Sequence, residues 1–374
     1  MRGLGVGVGL RGNMAGQGAE RVNLLLLEGD GIGPEITAAT LDVLRHVDAR
    51  FGLALSFAHA QIGFAALEKT GTTFPDAVFE QARAADGIVL GPVSHNAYPP
   101  VAKGGLNPSG ELRKRLDLFA NIRPARTREG VEAPSRKAFD LVVVRENTEG
   151  FYADRSMFAG PGEFMPTPDL ALATRKVTRE ASLRIARSAF DLARSRRKKV
   201  CVVHKANVLR LSDGLFLEAT RAVARDYPDV AVEEQLVDAM AALLVRDASV
   251  YDVIVTTNMY GDILSDEAVE LAGGLGLGAS LNAGESHGMA QAQHGSAPSL
   301  TGLDVANPAS LIGSAAMLLV WLAARTGRDS FVEAGNAIDQ ALDKTIAHAG
   351  TRTRDLGGTL GTKAFTAALI ANIA

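Results

Sequence analysis

The chain has 374 residues, of which 47% are hydrophobic and 22% charged, and its formal net charge is −3. This composition predicts a globular protein with a sizeable core and about two domains, and it excludes the broad basic field that attracts nucleic acid or anionic membranes. The single cysteine, Cys201, excludes an internal disulfide framework and an all-cysteine metal site, so we expect a cytoplasmic protein.

The first twenty residues are rich in glycine and lack an apolar block long enough for a signal peptide. We expect residues 1–20 to form a flexible extension. Gly7-Val-Gly9-Leu-Arg-Gly12 matches a dinucleotide-binding pattern by letter. Because no strand pattern precedes it and no helical pattern follows it, we do not expect it to bind a nucleotide.

Strand-like and helix-like segments alternate along the rest of the chain, which predicts an α/β fold. The predicted strands are Val22–Leu27, Gly87–Leu90, Leu141–Val144, Val200–His204 and Asp252–Thr256. The predicted helices are Glu35–Phe51, Val177–Arg194, Gly214–Tyr227, one starting near Asp262, Phe331–Ala347 and Thr362–Ile373. The apolar run Leu311–Ala324 contains Gly and Ser, and we expect it to be too short and too mixed to cross a bilayer.

A glycine-rich turn, Glu28–Glu35, joins the first predicted strand to the first predicted helix. Glycine permits a tight turn and a close backbone approach, and Pro34 suits the first turn of a helix. The spacing is not that of the usual dinucleotide fingerprint. A structural turn and a ligand-binding loop are therefore both open at this point.

Three arginines, Arg113, Arg123 and Arg145, are candidate carboxylate ligands. The planar guanidinium binds a carboxylate through two hydrogen bonds, so a convergent set suits a di- or tricarboxylate. Only Arg145 stands at the carboxyl end of a buried-looking strand, where ligands usually bind in such sheets. Each arginine taken alone would also fit a surface salt bridge.

Asp262 and Asp266 are four residues apart and lie on one face of a predicted helix. Two neighbouring carboxylates repel each other unless a cation lies between them, and hard oxygen ligands favour Mg²⁺ or Mn²⁺. In the alternative interpretation, Asp262 caps the helix and Asp266 is simply exposed.

Further candidates follow strands or lie in loops. Lys205, in His204-Lys205-Ala-Asn207, suits a base or a carboxylate ligand, and Tyr152 suits a proton donor. The loop His294–Pro298, with Asn307 beyond it, suits an adenine and ribose. Each also has a plain structural explanation, as a surface lysine, a packing tyrosine or a turn.

Taken in chain order, seven segments resemble the isocitrate, isopropylmalate and homoisocitrate dehydrogenase family. They extend from Gly29 to about Gly361, nearly the whole chain. The segments are Gly29–Glu35, Leu118–Pro124, Arg145–Glu149, His204–Asn207, Gly261–Asp266, His294–Pro298 and Asp355–Gly358.

The resemblance implies an α/β fold of two domains that share a mixed sheet and lack the Rossmann unit. It implies that residues 21–118 and 272–374 form a large cofactor-binding domain. Residues 119–271 would form a small domain with the substrate and metal site and the dimer interface. The implied assembly is a homodimer with shared active sites, which binds neither nucleic acid nor membrane.

The resemblance also implies roles for individual residues in oxidative decarboxylation of a 3-substituted (R)-malate. Asp262 and Asp266 of one subunit, with Asp238 of the other, would hold Mg²⁺ or Mn²⁺. Lys205 of the partner chain would act in removing the 2-hydroxyl proton, and Tyr152 would protonate carbon 3. The implied substrate ligands are Asn107, Ser109, Arg113, Arg123 and Arg145. The implied cofactor ligands are Ile32, Asn207, His294, Gly295, Ser296, Ala297 and Asn307.

Two positions depart from the family pattern. Ser299 stands where members that use NAD usually carry aspartate, yet Ser299-Leu300 offers no cation for a 2′-phosphate, so we expect NAD, with NADP as the alternative. Gln291 stands where glutamate is usual, three residues before the loop histidine.

The substrate also has alternatives. The polar Asn107 and Ser109 favour an acidic or hydroxylated 3-substituent over isopropyl. A tartrate- or malate-type dehydrogenase is a second reading. A catalytically silent regulatory subunit is a third, although such subunits typically lose the lysine, tyrosine or metal aspartates that this sequence retains.

Overall fold

The structure is a computed structural model that describes residues 20–152, 157, 160 and 162–374. The expected flexible extension lies outside the described residues except for Glu20, and so does the glycine pattern at residues 7–12.

The described chain forms twelve strands, ten of which build one mixed sheet. In chain order the strands are β1 (Val22–Leu27), β2 (Leu55–Ala60), β3 (Gly87–Leu90), β4 (Ala120–Arg126), β5 (Asp140–Glu146), β6 (Glu163–Thr167), β7 (Leu170–Ala173), β8 (Lys199–His204), β9 (Ala231–Leu236), β10 (Val253–Thr256), β11 (Leu281–Ala283) and β12 (Gly288–Gln291). The order across the large sheet is β2-β1-β3-β12-β11-β4-β5-β10-β8-β9, and β6 and β7 form a separate hairpin. This confirms the predicted α/β class with a mixed sheet.

The sheet has two halves that meet at the antiparallel pairing of β4 with β11. Strands β1, β2, β3, β11 and β12 come from the two ends of the chain, whereas β4, β5, β8, β9 and β10 come from its middle. The antiparallel pairs are β11–β12, β11–β4 and β4–β5, and the remaining pairs are parallel. Because three antiparallel pairings follow one another, β5, β8, β9 and β10 run opposite to β1, β2, β3 and β12, and the carboxyl ends of the two parallel sets lie at opposite edges of the sheet.

All five predicted strands are present, with ends displaced by at most two residues. They are apolar without alternation because the central strands are covered on both faces; Leu24 to Leu27, for example, have no exposed surface. Several of the strands that were not predicted carry polar residues. β4 contains Asn121 and Arg123, which are both buried, and β9 is a half-exposed edge strand.

The eleven helices of the described chain cover the sheet. They are α1 (Gly33–Phe51), α2 (Gly63–Thr70), α3 (Asp76–Ala84), α4 (Pro108–Arg115), α5 (Arg179–Arg194), α6 (Ser212–Ala224), α7 (Val237–Asp247), α8 (Asn258–Ala272), α9 (Ala309–Thr326), α10 (Asp329–Ala347) and α11 (Thr362–Ala371). The prediction that a helix starts near Asp262 is wrong, because α8 begins at Asn258 and places Asp262 in its second turn. Asp262 is therefore not the helix cap of the alternative interpretation.

Helix α9 corrects one expectation about the apolar run. It extends beyond that run to Ala309–Thr326 and has a mean hydropathy of 1.5, so it is long and apolar enough to cross a bilayer. However, 83% of it is buried inside the protein, where it packs against α10 and β12. It is the central core helix of this half of the molecule.

An ionic cluster ties the two halves together beyond the end of β4. Arg126 donates to Asp339 at 2.9 Å and to Asp343 at 2.9 Å, and Arg128 donates to Asp339 at 3.2 Å. Burial would raise the pKa of Asp339, but the two guanidiniums lower it below its ordinary value. The cluster joins the middle segment of the chain to α10.

Candidate active site

The glycine-rich turn is held against the His294–Pro298 loop, so two segments that are far apart in sequence form one wall. The Ile32 N–H donates to the carbonyl oxygen of Ser296 at 2.9 Å. Gly31 has a φ of +59°, and a Cβ there would come within 2.0 Å of that same oxygen. Only glycine allows this approach.

Asp30 organises the turn from beneath. Its carboxylate accepts from the Phe64 and Ser94 N–H groups, both at 2.9 Å, and from the Tyr98 hydroxyl. Ser94 in turn lies with its Oγ 2.7 Å from Ser296 Oγ. This segment is therefore both a structural turn and part of the wall that contains Ile32 and Ser296.

The rest of the His294–Pro298 loop is also braced from within. His294 Nδ1 lies 2.9 Å from the Gly295 carbonyl oxygen, and burial lowers the pKa of His294 below its ordinary value, which favours the neutral imidazole. Ala297 has a left-handed φ of +38°. Asn307 donates to Asp355 at 2.9 Å and accepts from the Ala309 N–H at 3.0 Å. The implied cofactor residues of this loop are thus held in one fixed arrangement.

Arg145 and Arg123 meet at the amino end of α8. Arg145 Nε donates to Asn258 Oδ1 at 2.9 Å, and its Nη1 pairs with Asp262. Gly261 makes room for this side chain, because a Cβ there would meet Arg145 Cγ at 2.6 Å. Arg123 Nη1 lies 3.1 Å from Asp262 Oδ1 and 3.2 Å from Asp266 Oδ1. Two predicted arginines and two predicted aspartates therefore form one cluster.

Electrostatics keep this cluster charged. Burial is the larger influence on Asp262 and would raise its pKa, but Arg145, Arg123 and Arg113 together bring the pKa below its ordinary value. Burial and the neighbouring Arg145 lower the pKa of Arg123 to about 10, which leaves it fully protonated at pH 7. The side chains of Asp262 and Asp266 are 38% and 49% exposed, so both carboxylates are accessible to solvent.

Tyr152 lies at the margin of this cluster. Its hydroxyl is 3.4 Å from Asp262 Oδ2, and the Arg145 guanidinium lies 5.9 Å from the centre of its ring. The phenol is therefore within reach of a ligand held by Arg145 and Asp262.

Arg113 and Ser109 face a residue that was noted only as a departure. Gln291 Oε1 accepts from Arg113 Nη2 at 3.0 Å and from Ser109 Oγ at 3.1 Å. Asn107, by contrast, accepts from the Gly110 N–H at 3.2 Å and caps α4. Its oxygen thus has a structural task in addition to any contact with substrate.

The residues of the motif Arg145–Glu149 differ in what they contact. Glu146 accepts from the Thr148 and Glu149 N–H groups, each at 2.8 Å. Asn147 donates to the Leu118 carbonyl at 2.9 Å, and Glu149 accepts from the Thr178 N–H at 2.8 Å. These three buried side chains hold the loop in shape, so Arg145 is the residue of the motif that joins the cluster.

Lys205 and Asp238 form a second group. Lys205 Nζ lies 2.5 Å from Asp238 Oδ1. The Lys205 N–H donates to Asp213, which is fully buried and paired with Arg175. This buried pair fixes the backbone of Lys205 at the end of β8, and Asn207 follows in an exposed turn.

Within a single chain, the Lys205–Asp238 pair is separate from the cluster that contains Asp262 and Asp266. Among the described residues, no three His, Cys, Asp or Glu side chains lie close enough together to hold a metal ion. Asp238 therefore does not join Asp262 and Asp266 in the same subunit.

Sequence reasoning gave Gln293 no role and noted Gln291 only as a departure. Gln293 Nε2 donates to Asp266 Oδ1 at 2.7 Å, and Gln291 meets Arg113 and Ser109. The available signal was their spacing, because residues two apart at the end of a strand point to the same side.

Comparisons with known proteins agree on one group. The family model for isocitrate/isopropylmalate dehydrogenase matches residues 23–373. A 3-isopropylmalate/3-methylmalate dehydrogenase of Methanocaldococcus jannaschii is 39% identical over 91% of this chain and 95% of its own length. An isocitrate/homoisocitrate dehydrogenase of Thermus thermophilus is 41% identical over 93% of this chain and 97% of its own. The crystal structure of an isocitrate dehydrogenase from Methylococcus capsulatus has a TM-score of 0.84 and 37% identity, covering 94% of this chain and 99% of that one.

Proposed function

The chain belongs to the isocitrate/isopropylmalate dehydrogenase family and is an oxidatively decarboxylating dehydrogenase, and on this premise we propose that it acts on a 3-substituted (R)-malate with NAD and a divalent metal ion. NADP is the alternative cofactor. The observation that carries the proposal is the cluster in which Arg123, Arg145, Asp262 and Asp266 converge. Arg113 is also close enough to help lower the pKa of Asp262.

The arginines would bind the carboxylates of the substrate. Arg123 and Arg145 are buried at 6% and 2% exposure, so their charges are poorly solvated and attract an anionic ligand strongly. Each is also fixed by a neutral partner, Asn121 and Asn258 respectively. The guanidiniums are thus already oriented before the ligand arrives.

The two aspartates fit a hard divalent cation. Both carboxylates project from one face of α8, the lowered pKa of Asp262 keeps that side chain ionised, and oxygen donors of this kind suit Mg²⁺ or Mn²⁺. We propose that Asp238 from a second copy completes the set and brings its Lys205 with it, as in a homodimer with shared sites. Exposed apolar side chains on this half, Leu211, Val245 and Ile263, support an interface there.

In this proposal Asp262 and Asp266 would hold the cation, which would supply a Lewis acid for the 2-hydroxyl group, and the residues around Ile32 would hold the nicotinamide cofactor, which would supply the hydride acceptor for carbon 2. Lys205 would take the hydroxyl proton. When the bond from carbon 3 to its carboxylate breaks, carbon dioxide leaves and the electron pair remains on the enolate. Tyr152 would then give a proton to carbon 3.

The cofactor would lie along the wall formed by Ile32 and the loop of His294, Gly295, Ser296 and Ala297, with Asn307 behind it and Asn207 across the site. A large domain of residues 21–118 and 272–374 and a small domain of 119–271 would close around both ligands.

We also propose a cytoplasmic location, since the one cysteine is buried and free.

The test is a substrate panel read by the absorbance of the reduced nicotinamide. We expect turnover of at least one 3-substituted malate with Mn²⁺ and NAD, loss of activity on chelation, and recovery with Mg²⁺ or Mn²⁺. Turnover of only tartrate or unsubstituted malate would favour the tartrate/malate-type alternative. Binding without any turnover would identify a silent regulatory subunit.

A further inference from the structure

Gln291 contacts Arg113, the proposed substrate arginine that lies on α4. Three donors converge on its Oε1: Arg113 Nη2 at 3.0 Å, Ser109 Oγ at 3.1 Å and Asn282 Nδ2 at 3.3 Å. Gln291 ends β12, and its partners come from α4 and β11. Its carbonyl oxygen is therefore fully occupied by protein groups.

This arrangement fixes which way the amide points. A guanidinium can only donate, so the atom that faces Arg113 must be the oxygen and not the nitrogen of the amide. The Nε2 group, with two N–H donors, is consequently turned away from the three neighbours. No described residue accepts a hydrogen bond from it, and the side chain is only partly buried.

The net charge of the site also favours a negatively charged group next to Gln291. The three arginines carry three positive charges, against the two carboxylates of Asp262 and Asp266. Gln291 touches Arg113 and Ser109 without adding a negative charge to this total. A ligand with an additional carboxylate next to Gln291 would therefore meet donors and a net positive field.

We propose that Gln291 determines substrate specificity by donating from Nε2 to a carboxylate on the 3-substituent of the malate. The preferred substrates are then tricarboxylates of the isocitrate type, and 3-alkylmalates are poor substrates. This inference rests on the proposed function. An alkyl group placed against Nε2 would cover two N–H donors without replacing their hydrogen bonds to water, which is how a polar site rejects an apolar analogue.

The experiment compares kcat/KM for isocitrate and for 3-isopropylmalate in the wild type, in Gln291→Glu and in a matched control. Gln291→Glu keeps the size of the side chain, removes both donors and adds a negative charge. The control, Gln81→Glu, makes the same chemical change at an exposed position of α3. Thermal unfolding of all three proteins establishes that the variants are folded.

We expect the wild type to prefer isocitrate, and Gln291→Glu to lower the ratio of the two kcat/KM values by about 100-fold, equivalent to about 2.7 kcal/mol. The ratio is the informative quantity, because an ion pair between the new carboxylate and Arg113 would weaken both substrates alike. Gln81→Glu should leave the ratio unchanged. If Gln291→Glu does not fold, Gln291→Met removes the same donors without a charge and should lower the ratio by about 10-fold.

Failure of this inference can be distinguished from failure of the proposed function. A wild type that oxidises no 3-substituted malate contradicts the function itself. A wild type that turns over 3-isopropylmalate as efficiently as isocitrate, or a Gln291→Glu protein in which both values fall equally, leaves the function standing and overturns the role of Gln291.

Discussion

Asp262 and Asp266 are equivalent in the proposed chemistry but differ sharply in what they hold together in the protein. Asp262 Oδ1 pairs with both Arg145 and Arg123, which are almost completely buried and whose like charges repel each other. Among the described residues, Asp266 pairs with Arg123, at 3.2 Å, and accepts from Gln293, at 2.7 Å. Replacing each by asparagine therefore separates a structural role from a metal-binding one.

The expected loss of stability follows from these contacts. Removing one partner of a fully buried ion pair costs about 3–5 kcal/mol. The side chain of Asp262 is 38% exposed and Arg123 keeps Asp266 as a partner, so solvent screening reduces the cost, and we expect about 2 kcal/mol for Asp262→Asn. Asp266 is 49% exposed and has one cationic partner, so Asp266→Asn should cost about 0.5 kcal/mol.

The assay is urea unfolding followed by fluorescence of the single tryptophan, Trp321, which is 3% exposed, with circular dichroism as a second probe. In parallel, the Mn²⁺ concentration that gives half-maximal turnover is measured. Both variants should raise that concentration by at least about 100-fold, because each loses a carboxylate ligand. Equal destabilisation by the two variants would refute the inference that the ion pairs of Asp262 stabilise the protein more than those of Asp266. Wild-type response of either variant to Mn²⁺ would refute the metal site.

Two further predictions concern proton transfer and pH. Lys205→Ala and Tyr152→Phe should each lower kcat by about 100-fold or more without a large change in melting temperature, because each removes a proton-transfer group. Full turnover in Lys205→Ala would contradict the mechanism. The melting temperature should fall as the pH drops below 6.5, because burial lowers the pKa of His204 in the folded protein, so the unfolded chain takes up the proton first. His204 Nδ1 also accepts from the Ala206 N–H at 3.1 Å. The variant His204→Asn keeps an acceptor there but does not titrate, so its melting temperature should fall less between pH 7 and 5.5 than that of the wild type. An identical fall in melting temperature would exclude His204 as a contributor.

The sequence by itself determined the class of the fold and supplied most of the residues that we propose for the site. The buried parallel strands are short apolar runs bounded by turns. The candidate residues Arg145 and Lys205 lie at or just after the ends of two of these strands, where the local pattern could locate them. The spacing of Asp262 and Asp266 also fixed their common face, since the helical repeat needs no tertiary information.

Only the tertiary structure decided which distant residues share a contact. Strands β4, β11 and β12 were not predicted, because their polar residues are satisfied by partners more than a hundred residues away, as Asn121 is by Ser280. The same reason explains why the contacts of Gln291 with Arg113 and of Gln293 with Asp266 were not predicted. The contact between Arg145 of β5 and Asn258 at the start of α8 likewise joins residues that are 113 positions apart in the sequence. Local patterns report backbone preference and burial, whereas a site is made by side chains that the folded chain brings together.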